Sequence, residues 1–419
     1  MVAIGVNVKK VNIVSKNFRE KVEAELKAGG NLSIVNLINH LIELAYGLRA
    51  SDIHIDPQTD SVRIRLRIDG VLQDELPFPK VIHSEVISRI KILAGLRTDE
   101  HQAAQDGRFR INLESGPVDV RVSIAPTYHG ENAGLRLLAD EAQEYALDSL
   151  GFSKQNQEKI ISAVRHPYGM ILVTGPTGSG KTTTLYTLIK MLNDPEVSII
   201  TIEDPIEYAV AGINQIGVNA RTGLTFANGL RSILRQDPNI IMVGEIRDAE
   251  TAGLATNSAL TGHLVLSTIH TSDAATTLPR LLDLKIEPYL VASTVNIAIG
   301  QRLVRRICEN CKEELKITPL ELKSLTEVIP ANILGKSTTF YKGAGCEECN
   351  QTGYRGRMGI HEVIVIDNSI REAILRKATA MEIKQIAKQQ GMVAMIEDGF
   401  IKARDGLTTL EEILRTLHE

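Results

Sequence analysis

Three glycines, a lysine and three hydroxyls fall within eight residues at Gly175-Pro176-Thr177-Gly178-Ser179-Gly180-Lys181-Thr182. The segment follows the apolar run Met170–Thr174 and precedes a helical stretch opening at Thr183. A strand, a glycine-rich turn and a helix in that order form a phosphate cradle: the glycines let backbone N–H groups turn inward, and the helix N-terminus adds partial positive charge. Lys181 is then expected to reach the β- and γ-phosphates, with the Thr182 hydroxyl on Mg²⁺. A purely structural glycine turn would need neither the strand before it nor the helix after it.

Hydrolysis also requires a carboxylate to orient water and another to hold the metal or its hydration shell. The apolar run Val197–Ile202 ends in Glu203-Asp204-Pro205-Ile206-Glu207, and Ile240–Val243 ends in Gly244-Glu245. Strand carboxyl ends line the ligand crevice of an open parallel sheet. Glu203 is therefore expected to orient water and Glu245 to hold Mg²⁺ or its water, roles that could be exchanged, while Glu207 reads equally well as a solvated loop charge. A fourth run, His263–Thr268, carries His263 at its start and His270 just past its end. A lone histidine is usually a satisfied hydrogen-bond partner, but beside the phosphate loop both are expected to sense phosphate or couple it to motion.

The four cysteines of the chain fall as Cys308-x-x-Cys311 and Cys346-x-x-Cys349. Two such knuckles can each supply a pair of thiolates to tetrahedral Zn²⁺, with Gly343, Gly345 and Gly353 fitting the turns around the second pair. A site with four thiolates is closed, so it would brace the fold and not catalyse. Inert buried thiols or a redox pair are the alternatives.

Positioning these groups calls for domains with apolar cores, and 419 residues allow two or three. A hydrophobic share of 43% and a formal charge of -4 fit a globular protein without the field that gathers nucleic acid. No apolar run is long enough to span a bilayer, so a cytoplasmic protein that meets membranes only through partners is expected. Residues 1–30 read as a leader with a helix at Asn17–Lys27, closed by Gly29-Gly30. Residues 31–140 read as a small α+β domain, with helices over Leu32–Tyr46 and Ser84–Leu96. Its strands lie near Asp52–Ile55, Val62–Ile68, Phe109–Leu113 and Val118–Ile124, with a hairpin turn at Asp69-Gly70. Arg63, Arg65 and Arg67 share one strand face, either solvated or at a subunit boundary. Residues 141–149 read as a linker. Residues 150–419 read as an α/β domain that contains a zinc module over 305–358 and helices over 369–419, the last opened by a capping box at Thr408-Thr409-Leu410-Glu411.

Taken together, the blocks resemble the Walker A, Asp-box, Walker B and His-box segments of the type II secretion and type IV pilus ATPases, over about Ser33 to Leu417. Gly244-Glu245-Ile246-Arg247-Asp248 has Gly where most P-loop proteins have Asp. Gly262-His263 and Ser267-Thr268-Ile269-His270-Thr271 are similar to the family's, as are Ser51-Asp52-Ile53-His54-Ile55, Arg67-Ile68-Asp69-Gly70 and Gln105-Asp106-Gly107-Arg108 upstream. The sequence departs from the pattern at Ala104, where many relatives have Pro, and at Asn132, where a basic residue is common. A short leader is expected here in place of the extra N-terminal domain many relatives use to grip a membrane partner.

The resemblance implies a homohexameric ring whose subunits pair a PAS-like N-terminal domain with a RecA-like P-loop NTPase domain, ATP or ADP lying near their junction. It implies that Arg121 and Arg136 close on the γ-phosphate and that Arg231, Arg235, Arg247 and Arg280 lie at the active site or subunit boundary. Arg231 and Arg235 could also be surface residues of one helix. The implied activity is Mg²⁺-dependent ATP hydrolysis coupled to domain motion, powering pilus assembly or type II secretion. The implied partner is an inner-membrane platform protein, with the ATPase peripheral to that membrane. Alternatives are a pilus-retraction motor, whose representatives generally lack the tetracysteine, a slow nucleotide-gated regulator or scaffold, and a DNA-handling relative that the charge disfavours.

Overall fold

The computed structural model describes residues 8–28, 31–113, 116–139, 146–317 and 339–418. The start of the expected leader, Gly29-Gly30, most of the expected linker and the middle of the expected zinc module lie outside the described residues. The chain divides into two compact units, Met1–Ala142 and Gln143–Glu419.

In the first unit, helix α1 spans Val8–Lys27, nine residues longer at its start than expected. No Gly or Pro interrupts residues 8–16, so nothing in the chain stops the helix there. Its Phe18 and Val22 are buried in the unit's core. Helix α2, Ile34–Gly47, starts where the Ser33 side chain accepts the Asn36 N–H, and it buries Leu37, Ile38, Leu41, Ile42, Leu44 and Ala45 along one stripe. The strands are β1 (Ala50–Pro57), β2 (Ser61–Ile68), β3 (Val71–Asp74), β4 (Phe78–Pro79), β5 (Gln105–Leu113), β6 (Gly116–Thr127) and β7 (Gly130–Ala139), with helix α3 at His83–Leu93. They run in the order β3-β2-β1-β7-β6-β5, with β4 on β2. Asp69 and Gly70 take φ of 49° and 87°, the two left-handed positions of the tight turn read from the sequence.

Strand β7 escapes the sequence pattern because Gly130 and Gly134 blur its alternation, yet it pairs with both β1 and β6. The basic face of β2 is laced to neighbours: Arg63 to Asp74, Arg65 to Asp56 and Arg67 to Asp52.

The second unit opens with α4 (Lys154–Val164), β8 (Gly169–Thr174), α5 (Lys181–Leu192), β9 (Ile199–Glu203) and β10 (Asn214–Gly217). It continues through α6 (Phe226–Ile233), β11 (Ile240–Val243), α7 (Ala249–Leu260), β12 (Leu264–Ile269), α8 (Ala274–Asp283), α9 (Pro288–Thr294) and β13 (Val295–Ile307). After the small hairpin of β14 (Lys312–Lys316) and β15 (Thr339–Gly343) comes β16 (Tyr354–Val365), then α10 (Asn368–Leu375), α11 (Ala380–Gln389), α12 (Met395–Arg404) and α13 (Leu410–His418).

The main sheet runs β10-β9-β11-β12-β8-β13-β16, parallel throughout except for β16. Every residue of β8 and of β12 is buried, as strands covered on both faces must be. The fold is thus α/β with a helical C-terminal part, as the sequence indicates. The cap of α13 falls one residue later than expected. Thr409, not Thr408, accepts the Glu412 N–H, while the Thr408 hydroxyl donates to the Arg305 carbonyl.

Candidate nucleotide site and tetracysteine centre

Strand β8 delivers the chain into the turn Gly175–Gly180, and α5 leaves it at Lys181. Gly175 has φ of 148° and sits so close to β13 that a Cβ there would lie 2.3 Å from the Gln301 carbonyl oxygen. Gly180 caps α5 at φ 86°, a conformation that suits glycine. The Lys181 ammonium donates to the carbonyls of Gly175 and Pro176, both at 2.9 Å, and so spans its own loop. Burial pulls its pKa down, against the charge of Glu245, which pulls it up. The buried Ser179 Oγ has no hydrogen-bond partner. Pro176, Thr177 and Gly178 are exposed, and Thr182 and Thr183 half-exposed at the helix start. An orphaned hydroxyl, a lysine reaching over the loop and a helix N-terminus fit a phosphate group.

The registers bring the expected carboxylates to the same edge of the sheet. Thr174 pairs with Ile269, and Val243 with Ile202, so Gly175, Glu203, Glu245 and His270 all lie at strand carboxyl ends. Glu203 is 3% exposed and hydrogen-bonded through both oxygens: Oε2 accepts the Tyr186 phenol at 2.5 Å, and Oε1 accepts Thr201 Oγ1 at 2.6 Å and Gln215 Nε2 at 3.2 Å. Glu245 accepts from His270 Nε2 at 3.0 Å and pairs with Arg247. That hydrogen bond from Arg247 holds the guanidinium above its ordinary pKa. The Glu207 N–H donates to the Tyr186 oxygen at 3.3 Å.

The two histidines are not brought together. His270 is at the loop edge, whereas His263 precedes β12 at the opposite edge, roughly 20 Å away along the strand. There its Nδ1 donates to the Ser258 carbonyl at 2.9 Å. Arg231 pairs with Glu250 of α7, Arg235 donates to Ser232 Oγ at 3.2 Å, and Arg280 is exposed on α8. In the first unit, Arg121 and Arg136 face each other across β6 and β7, and Arg136 Nε donates to Asp52 Oδ1 at 2.9 Å.

The four cysteines converge. Their sulfurs all lie within 4.8 Å of one another, with Cys308 to Cys346 and Cys311 to Cys349 both at 3.8 Å and Cys346 to Cys349 at 3.7 Å. Four thiolates about 2.3 Å from a tetrahedral Zn²⁺ would be spaced by roughly 3.8 Å, so the donor set fits that ion. Burial raises the Cys349 thiol, but N–H groups of Cys346 and Gly353 donate to its sulfur and bring it down to about 7. Burial pushes Cys311 up to about 12, which a bound cation would reverse.

Residues 27–415 match the sequence profile of the family described as type II/IV secretion system protein. The chain belongs to that family. Among curated members, it is 45% identical over 406 residues to the type IV pilus assembly ATPase PilB of Thermus thermophilus, covering 96% of this chain and 45% of that one. It thus spans under half the length of that relative. It is 44% identical over 387 residues to the type II secretion system protein HxcR of Pseudomonas aeruginosa, covering 92% of this chain and 78% of the other. Among solved structures it is similar to the pilus retraction motor PilT with bound ADP, at TM-score 0.62 and 26% identity over 90% of this chain and 96% of that one.

Against the secretion-family motifs, three contributors at the site were not anticipated. Gln301 of β13 donates from Nε2 to the Ser179 carbonyl at 2.7 Å and accepts Thr184 Oγ1 at 2.8 Å. Tyr186 and Gln215 hold Glu203. Of these, Tyr186 could have been flagged from the sequence, because it lies one helical turn beyond Thr182 on the loop's own helix.

Proposed function

We propose that this chain is a Mg²⁺-dependent P-loop ATPase of a homohexameric ring that drives pilus assembly or type II secretion. The observation that carries the reading is the loop of Gly175 to Thr182 with Lys181 spanning it, set at the sheet edge where Glu203 and Glu245 also end. Loop amides and the Ser179 hydroxyl would bind the phosphates, and Lys181 would exchange the carbonyls of Gly175 and Pro176 for phosphate oxygens. Mg²⁺, when bound, would neutralise charge on the β- and γ-phosphates, with Thr182 and Glu245 holding it or its water. Glu203 would orient the attacking water. His270, hydrogen-bonded to Glu245, would report the state of the phosphates, and His263 would pass motion along β12. Arg121 and Arg136 would neutralise transition-state charge. ATP turnover would move the two units of each subunit and so act on an inner-membrane platform protein, with the ATPase held at that membrane by its partners. Zinc would brace the module that follows β13.

The likeness to a retraction motor favours a second reading, pulling in place of extrusion. The identities of 45% and 44% to an assembly ATPase and a secretion protein favour the first. Phosphate release by the full-length protein tests the ATPase. Lys181→Ala is expected to lose nucleotide retention and turnover. Glu245→Gln is expected to keep ATP bound while turnover falls by about 100-fold or more. Undiminished turnover in Lys181→Ala would refute the reading, and wild-type turnover no faster than that of Glu245→Gln would point to a regulator.

A further inference from the structure

The geometry points to Tyr186 as the positioning residue for Glu203, its phenol fixing the carboxylate at the carboxyl end of β9. Tyr186 lies on α5, which follows directly on the Gly175–Gly180 turn, and its side chain is fully buried. The hydroxyl donates to Glu203 Oε2 at 2.5 Å and accepts from the Glu207 N–H and from Gln215 Nε2, both at 3.3 Å. Gln215 also reaches Glu203 Oε1 at 3.2 Å, and Thr201 fills the same oxygen at 2.6 Å. The ring is held in turn by Tyr208, edge-on at 4.6 Å between centroids. Burial, reinforced by the Glu203 charge, keeps the phenol protonated far above its ordinary range, so it stays a donor.

A phenylalanine would fill this space as well, and a buried hydroxyl costs desolvation unless it is bonded. The oxygen therefore points to a purpose beyond packing. Each carboxylate oxygen can accept two hydrogen bonds. Oε1 has both of its own from Thr201 and Gln215, whereas Oε2 has the one from Tyr186, which leaves a single acceptor position for water. The phenol thus decides where on Glu203 a water can bind. It also ties that carboxylate, at the end of β9, to the helix whose N-terminus would hold the phosphates.

This inference rests on Glu203 orienting water, and a double-mutant cycle in the full-length protein separates the two ideas. Tyr186→Phe is expected to lower kcat by about 10- to 100-fold while KM and the affinity for a fluorescent ATP analogue stay within about 2-fold. The double variant with Glu203→Gln should be no slower than Glu203→Gln alone. An unchanged kcat in Tyr186→Phe, or losses that multiply in the double variant, would overturn the assignment. If Glu203→Gln itself retained turnover, the water-orienting role would fall. Should Tyr186→Phe lose cooperative melting, Gln215→Met takes its place: a lower kcat at constant KM supports the network, and an unchanged kcat removes it.

Discussion

Gln301 Nε2 donates to the carbonyl oxygen of Ser179 at 2.7 Å, so a side chain of β13 holds the Gly175–Gly180 turn by its backbone. The same amide accepts the Thr184 hydroxyl of α5 at 2.8 Å. Gln301→Met keeps the bulk and removes both bonds, each worth about 1 kcal/mol. Nucleotide affinity is expected to weaken by about 10-fold, read by fluorescence titration. Unchanged affinity would show that the loop holds its shape alone.

β13 also leads to Arg305, whose guanidinium pairs with the buried Glu412 of α13 and stacks on Tyr354. Burial would raise the Glu412 carboxyl, but hydrogen bonds from Arg305 and then Arg415 outweigh it and hold the group at about 2. A folded-state pKa below the unfolded one means stability present above the usual carboxylate range and lost as pH falls through the folded value. The difference in denaturation midpoint between the native chain and Glu412→Gln is therefore expected to be constant at neutral pH, to shrink from about pH 4.5 and to vanish near pH 2. A difference independent of pH would contradict this.

The tetracysteine centre predicts one zinc per chain by elemental analysis, with no loss when the protein is held in thiol reductant. Cys346→Ser should release the metal and lower the melting temperature by several degrees, since the sulfurs bridge two knuckles otherwise held by the β14–β15 hairpin and by backbone hydrogen bonds from Cys308 N–H to the Gly353 carbonyl and from Ala344 N–H to the Cys311 carbonyl. Full metal content in Cys346→Ser would argue against the site.

In the first unit, Lys91 is fully buried and its ammonium lies 2.6 Å from Glu131 Oε1, while His101 Nδ1 donates to Glu131 Oε2 at 2.8 Å. Glu131→Gln leaves the lysine charge buried without its partner and is expected to cost about 3 kcal/mol in urea unfolding. Adding Lys91→Met should restore most of that loss, because the buried ammonium left without its counter-charge is then gone.

The strand, loop and helix around Lys181 are contiguous, and so are the two residues of each Cys-x-x-Cys pair. Their local arrangement was therefore legible from spacing alone, as were the acidic ends of β9 and β11. The strands β7, β13 and β16 were not. Glycines interrupt the first, and arginines and Gln301 interrupt the long apolar run of the second, so neither shows a clean period. Only pairing with β1, β8 and each other reveals them.

What the linear order determined by itself is the set of local devices: a glycine-rich strand-to-helix turn, two thiol knuckles, and carboxylates placed at strand ends. Which groups meet was decided by the tertiary structure, because hydrogen bonds and ion pairs depend on distance in space. Gln301 reaches Ser179 from 122 positions along the chain, and Tyr186 reaches Glu203 from 17. His263 and His270 stand at opposite ends of β12, as the run between them already indicated, because an extended strand rises about 3.3 Å per residue.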